Sequence, residues 1–355
     1  MLKTFKYYGL VIGFFCVFSC FGAGYPERPI TLVVPSTPGG GTDTTSRIIA
    51  PKLSEYLGQQ IVIINRPGAS GNIGAASVAS AAPDGYTLLT LISSNIINPH
   101  LYEKVPYDIE KDFTPISRTV MVPGVLIANK KFPPNNLQEM ITYLRANSTK
   151  VNFGSAGIGS FSHLMMEFFQ LNAGVKLLHI PYKSTSQAFT DVLSNQISLM
   201  LVDIALAQPY IKNGTLKAYG VSSSKRSTVA PDIPTLSEAG LKSFDVSQWF
   251  GLVGPAKLPP EITDKIYAAL KKTLEDPEIK ETFSREGMII APSASPTEFK
   301  SFMSAESVKW AEIIKEANIK KEKDKWTNHY WIRTINDHRT ERGDAKPCDS
   351  TAWWL

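Results

Sequence analysis

Cysteine is scarce in this chain, with 3 in 355 residues. Cys16 and Cys20 lie in or beside an apparent export segment, so once it is cut or lipidated Cys348 has no partner and no internal disulfide is expected. Histidine is sparse as well. Of the five present, His329 and His338 fall beyond residue 320, and no His-x-x-x-His or Cys-x-x-Cys spacing signals a protein-held metal. Gly-x-Ser-x-Gly is missing, which leaves a nucleophile elbow without support. No Gly-Lys-Ser/Thr follows the glycine triplet, which excludes a nucleotide P-loop. Neither sign of charge is in large excess. The formal net charge is +5, Lys3 and Lys6 supply part of it, and that balance gives no reason to expect a nucleic-acid partner. An enzyme is therefore not expected, nor a cofactor or a metal.

Between Lys6 and Glu27 there is no charged side chain, and Gly9 to Phe18 is almost wholly apolar. Small residues follow at Gly22, Ala23 and Gly24. This layout predicts a secretory signal peptide over residues 1–24 and a mature chain starting at about Tyr25. A competing reading makes Cys20 the lipid-bearing residue of a lipoprotein, although the bulky Phe18 before it fits poorly. A third keeps the segment as a membrane anchor, since the uncharged run approaches the roughly 17-residue lower limit of a span. At 43% apolar residues, the chain has material for about two domains without disulfides.

From Pro29 the pattern alternates apolar runs with helical periodicity. Ile30 to Val34 reads as a strand, Ile48, Ile49, Leu53 and Leu57 as a helix face, Ile61 to Ile64 and Tyr86 to Ile92 as further strands. Pro51 predicts a kink or break in the first helix. A second series runs through Val125–Ala128, a helix with Leu137, Met140, Ile141 and Leu144, Val151–Phe153, a helix over Ser160–Leu171, and strands at Leu177–Ile180, Ile197–Val202 and Leu216–Val221. Ser247 to Val253 is apolar enough to cross back. The domain reading is a first lobe of residues 25–123 plus 247–320 and a second of 124–246. Behind Pro259 and Pro260, and behind the capping sequence Ser295-Pro296-Thr297-Glu298, two helices are expected to pack on the first lobe. Residues 321–355 hold four of the six tryptophans among interleaved charges and read as an atypical tail, with a nucleic-acid module as the weaker alternative.

Two loops carry the chemistry. Pro35-Ser36-Thr37-Pro38-Gly39-Gly40-Gly41-Thr42-Asp43 lies between a strand and a helix, where glycines let backbone approach a ligand. Thr42 is placed to cap a helix whose free N–H groups attract anions. Gly154-Ser155-Ala156-Gly157-Ile158-Gly159-Ser160 repeats that arrangement in the second series. The alternative for each is a tight structural turn. His163 falls in the first turn of the second-series helix, Tyr182 follows a strand and Asp203 ends the strand Ile197–Val202; each can project into a cleft, since ligands of open α/β sheets sit beyond the carboxyl ends of strands. Their structural alternatives are a helix-surface histidine, a packing tyrosine and a helix-capping aspartate. If Asp203 faces the cleft, it favours a ligand with an ammonium or hydroxyl group.

Tyr25-Pro26-x-Arg28-Pro29-Ile30, Pro38 to Asp43, Asn65-Arg66-Pro67-Gly68-Ala69-x-Gly71-Asn72-Ile73-Gly74, Ala82-Pro83-Asp84-Gly85-Tyr86-Thr87, Ile97-Asn98-Pro99, Pro181-Tyr182-Lys183, Pro231-Asp232-x-Pro234-Thr235 and Trp249-Phe250-Gly251-Leu252 occur in order. Together they closely resemble the Bug-type substrate-binding receptors of tripartite tricarboxylate transporters, as far as Lys320. The resemblance implies a type II periplasmic-binding fold, α/β, with two lobes joined by two crossover strands that close like a Venus flytrap over a small organic carboxylate. By motif position it places Thr37, Gly40, Thr42, Asp43 and Ser94 in the first lobe's part of the site. Ser155, Ala156, Gly157, Ser160 and His163 would line the second, with Tyr182 and Asp203 beside them. It implies a periplasmic monomer that delivers its ligand to membrane transporter subunits. The alternative is a sensor that docks on a signalling receptor.

Overall fold

The structure, a computed structural model, describes residues 24–321. The expected signal peptide, the lipid-bearing alternative at Cys20 and the tail beyond Lys321 lie outside the described residues. The first series comprises β1 (Ile30–Val34), α1 (Gly41–Leu57), β2 (Ile61–Asn65), α2 (Asn72–Ala79), β3 (Thr87–Ile92) and α3 (Ser93–Leu101). The long strand β4 (Phe113–Asn129) leads into α4 (Leu137–Asn147), β5 (Asn152–Ser155), α5 (Phe161–Ala173), β6 (Leu178–Pro181), α6 (Thr185–Leu193), β7 (Leu199–Asp203), α7 (Ile204–Lys212) and β8 (Leu216–Val221). Then come β9 (Ser247–Pro255), α8 (Pro260–Glu275), α9 (Pro277–Arg285), β10 (Ile289–Ile290) and α10 (Pro296–Glu316).

The strands form one hydrogen-bonded path, β2-β1-β3-β9-β4-β7-β5-β6, with β8 and β10 each pairing with β4. The pairs β1–β2, β1–β3, β5–β6 and β5–β7 are parallel, as helical crossovers require, while β9 runs antiparallel to both β3 and β4. β4 changes partners between Pro123 and Gly124. Up to Pro123 it pairs with β9, and from Gly124 onward it pairs with β7. Backbone approach is tight at the switch, for a Cβ on Gly124 would lie 2.5 Å from Leu201 Cδ2.

α1 is continuous through Pro51, against the expectation of a break. Pro51 and Arg47, whose carbonyl the proline leaves unbonded, are both exposed, so water can take that hydrogen bond and the helix runs on. Its apolar stripe, Ile49, Leu53 and Leu57, is buried in one cluster with Ile30, Leu88, Ile266 and Phe283. A second cluster gathers Leu126, Phe153, Leu164, Phe169 and Leu201.

α10 departs from the expected packing. Phe299 and Met303 in its first half join Leu91 and Trp249, whereas Trp310, Ile313 and Ile314 join the cluster around Leu126 and Leu164. The helix therefore spans both parts of the molecule. Glu306, buried between its two halves, accepts on one oxygen from Trp249 Nε1 (3.0 Å) and Trp310 Nε1 (3.1 Å), and its other oxygen pairs with Lys309. A buried carboxylate needs such partners, because an unpaired charge away from water is strongly disfavoured.

Candidate functional site

The first corner joins the carboxyl end of β1 to α1. Gly40, not Thr42, occupies the N-cap and no side chain caps the helix. Thr42 lies inside the first turn and is buried, so the capping expectation is corrected: the extended backbone at Gly40 starts the helix without a hydroxyl. Asp43 is 2% exposed and its carboxylate is committed to the chain. It accepts from Gly39 N–H (2.9 Å), Arg47 Nε (2.8 Å) and Asn65 Nδ2 (2.9 Å). Arg47 is the chief reason that Asp43 is held down at about 2, with the Gly39 and Asn65 bonds adding to it against the cost of burial. Asn65 also donates to Ser36 O (3.0 Å), tying the loop to β2. Thr37 is exposed at the loop tip and Gly40 is half-buried. Among the described residues the amides of Gly40, Gly41 and Thr42 have no acceptor.

The second corner follows β5. Gly159, with φ +74°, turns the chain into α5, whose N-cap is Ser160; its Oγ accepts from His163 N–H (3.3 Å). Several loop amides are occupied from within. Ala156 N–H donates to Ser162 Oγ (3.0 Å), Gly157 N–H to Ser155 Oγ (3.1 Å) and Gly159 N–H to His163 Nδ1 (3.2 Å). The amides of Phe161 and Ser162 have no acceptor among the described residues. His163 is not the helix-surface residue of the structural alternative. It is 5% exposed, stacked on His179 with centroids 4.0 Å apart, and His179 is stacked in turn on Phe153 at 4.7 Å. Local sequence gave no sign of His179, which reaches Ser155 Oγ at 2.7 Å only through the parallel pairing of β5 and β6.

Asp203 stands at the carboxyl end of β7, opposite Gly124. It occupies the N-cap of α7 but makes no side-chain cap. Burial lifts its carboxyl to about 6. Tyr182 is half-buried and donates to Asp191 Oδ2 (2.6 Å), and burial followed by that carboxylate pushes its phenol up to about 12. Ser94 is half-buried at the start of α3. Sequence reasoning passed over two neighbours. The hydroxyls of Ser36 and Ser93, beyond β1 and at the end of β3, are buried without a partner among the described residues. α3 is braced by a buried amide network in which Asn72 Oδ1 accepts from Tyr107 OH (2.7 Å) and Asn98 Nδ2 (2.6 Å). No group of three or more His, Cys, Asp and Glu fit to hold a metal occurs among the described residues. No helix there is long and apolar enough to cross a membrane.

Corners of this kind at the carboxyl ends of parallel strands, in a mixed sheet, belong to the α/β periplasmic-binding-protein fold. Residues 45–319 match the model of the tripartite tricarboxylate transporter family receptor, TctC, and the chain belongs to that family. Among curated proteins, BugT of Bordetella pertussis is 34% identical over 298 residues, covering 83% of this chain and 91% of its own. The periplasmic binding protein BugD is 37% identical, with a TM-score of 0.72 over 84% of this chain and 100% of that one. A protein of R. palustris solved with adipate gives 31% and 0.75, over 84% and 100%. The family is one of binding receptors, so the chain is a binding protein and not an enzyme.

Proposed function

We propose that this chain is a periplasmic receptor that captures a small organic carboxylate between two lobes, residues 25–123 with 247–320 and residues 124–246, and presents it to the membrane subunits of a tripartite tricarboxylate-type transporter. The observation that carries the reading is the pair of corners with free amides: Gly40, Gly41 and Thr42 on one, Phe161 and Ser162 on the other. Each helix terminus favours an anion by roughly 0.3–1 kcal/mol when exposed and up to about 2 when buried. A micromolar complex needs about 8 kcal/mol. Hydrogen bonds from those amides to a charged carboxylate, at about 1.5–3 kcal/mol each, supply the rest together with burial on closure. The adipate carried by a relative supports the ligand class. Thr37, Ser94, Ala156, Gly157, Ser160 and Tyr182 complete the walls of the site, and Ser155, buried behind them, holds the Gly157 amide. Asp203 sorts the ligands, accepting from an ammonium or hydroxyl on the bound acid.

A thermal-shift screen of the mature chain against small carboxylates, with calorimetry on the hits, tests this. A ligand at 100 times its Kd stabilises the folded state by about 2.7 kcal/mol. Absence of any rise, in protein shown by native mass spectrometry to carry no co-purified acid, would overturn the reading.

A further inference from the structure

His163 and His179 lie behind the second corner, and their hydrogen bonds run to the loop. Gly159 N–H is a donor, so His163 Nδ1 must present its lone pair, and the neutral ring carries its proton on Nε2. That nitrogen lies 3.3 Å from Glu167 Oε1. His179 Nε2 meets Ser155 Oγ, which accepts from Gly157 N–H and contacts Gly157 O (3.1 Å). The two imidazoles thus fix the path of Gly157 and Gly159, and with it the direction of the Phe161 and Ser162 amides.

We propose that His163 is a positioning residue of the second corner that works only as a neutral imidazole, with His179 stacked against it, so that protonating His163 loosens the loop and weakens anion binding. A proton on Nδ1 would face the Gly159 N–H, replacing a hydrogen bond by a donor–donor contact. Burial, and then the neighbouring His163, hold His179 down at about 4, so it stays neutral above that pH. β5, β7 and α10 also pack on α5. β5 presents Phe153 and Ser155, β7 carries Asp203 at its end, and α10 brings Trp310 against Phe161 with Glu306 and Lys309 paired to each other. The first corner has no such sensitivity near neutral pH, because its equivalent acceptor is the carboxylate of Asp43.

The inference rests on the second corner being part of the binding site, and the experiment separates the two. In ligand-free protein, nitrogen-15 NMR of the histidine rings across pH 4.5–8 reports the His163 tautomer, and hydrogen exchange reports protection at Gly159. We expect an unprotonated Nδ1 at neutral pH and protection at Gly159 that is lost as His163 titrates, while Gly39 stays protected. Calorimetry with malate, or with the acid that the screen returns, is then run on wild type, His163→Asn and His163→Leu. Asn offers an uncharged acceptor, so its affinity should follow the titration of the ligand and of Asp203 but carry no imidazole step. Wild type should fall more steeply, by up to about tenfold per pH unit for one coupled proton, and His163→Leu should bind weakly throughout. A proton on Nδ1 at neutral pH, or identical pH profiles for wild type and His163→Asn, would overturn the proposal. Failure of every acid to bind would sink the carboxylate reading and leave the NMR result to decide the positioning role.

Discussion

Gly39 donates its amide proton to Asp43 Oδ2 at 2.9 Å, four residues ahead and in the first turn of the following helix. Gly159 makes the same connection to His163 Nδ1 at 3.2 Å. Each corner is therefore held from behind by a side chain whose position in the loop motif alone would suggest ligand contact. The held amides are unavailable to a ligand, and the free ones are those of the helix's own first turn.

Asp43→Ala should destabilise the protein by about 1–3 kcal/mol, the cost of leaving buried donors unpaired, and should weaken ligand binding as the loop relaxes. The carboxyl is held down in the folded state, at about 2. Its contribution is thus complete above the unfolded-state value near 4 and is lost as the pH falls through about 2. Urea midpoints for wild type and variant should converge in that acid range.

Asp203 behaves oppositely. Its folded-state pKa is raised to about 6 by burial, so the ionised form opposes folding. Wild type loses that part of its stability as the pH rises from about 4 through 6. Asp203→Asn should melt at a higher temperature than wild type at pH 8, with the advantage shrinking to a constant difference below pH 4. The same variant should lose affinity selectively for hydroxy or amino acids, and calorimetry that found plain, hydroxy and amino acids weakened in equal proportion would remove Asp203 as the discriminator.

Glu306→Ala leaves the indole N–H groups of Trp249 and Trp310 buried without their acceptor. A loss of about 1–3 kcal/mol for each unsatisfied group is expected, with Glu306→Gln costing less because it keeps an acceptor oxygen. Urea denaturation followed by tryptophan fluorescence would read both.

Gly74→Ala should disturb the first corner from outside. Its Cβ would fall 2.8 Å from Pro35 Cβ and 3.0 Å from Arg66 O, and overpacking of this kind costs about 1–3 kcal/mol. Because Pro35 opens the corner, ligand affinity should drop along with the melting temperature, whereas Gly39→Ala, with open space around its Cβ, should meet only the strain of φ +83°.

Much of the fold was legible locally. The apolar runs at Ile30–Val34 and Ile197–Val202 became strands, the second only from Leu199, because short buried segments bounded by turns have few other ways to satisfy their backbone. Ser295 caps α10 through Glu298 N–H at 3.1 Å, three residues away, as its capping sequence predicts. Thr42 failed as a cap although it is a good capping residue, since the chain enters α1 two residues earlier at Gly40.

What the sequence by itself determined was therefore everything set by neighbours along the chain: strands, helices, glycine corners after strand ends, and the ordered motifs that mark the family. Tertiary structure decided which corner amides stay free, which side chains stand behind the loops, and that α10 bridges both parts of the molecule. His179 meets Ser155 only because β6 pairs with β5, and Asn65 meets Asp43 only because β2 pairs with β1. Such partnerships depend on strand register and helix packing between distant segments, and local spacing in the sequence does not encode them.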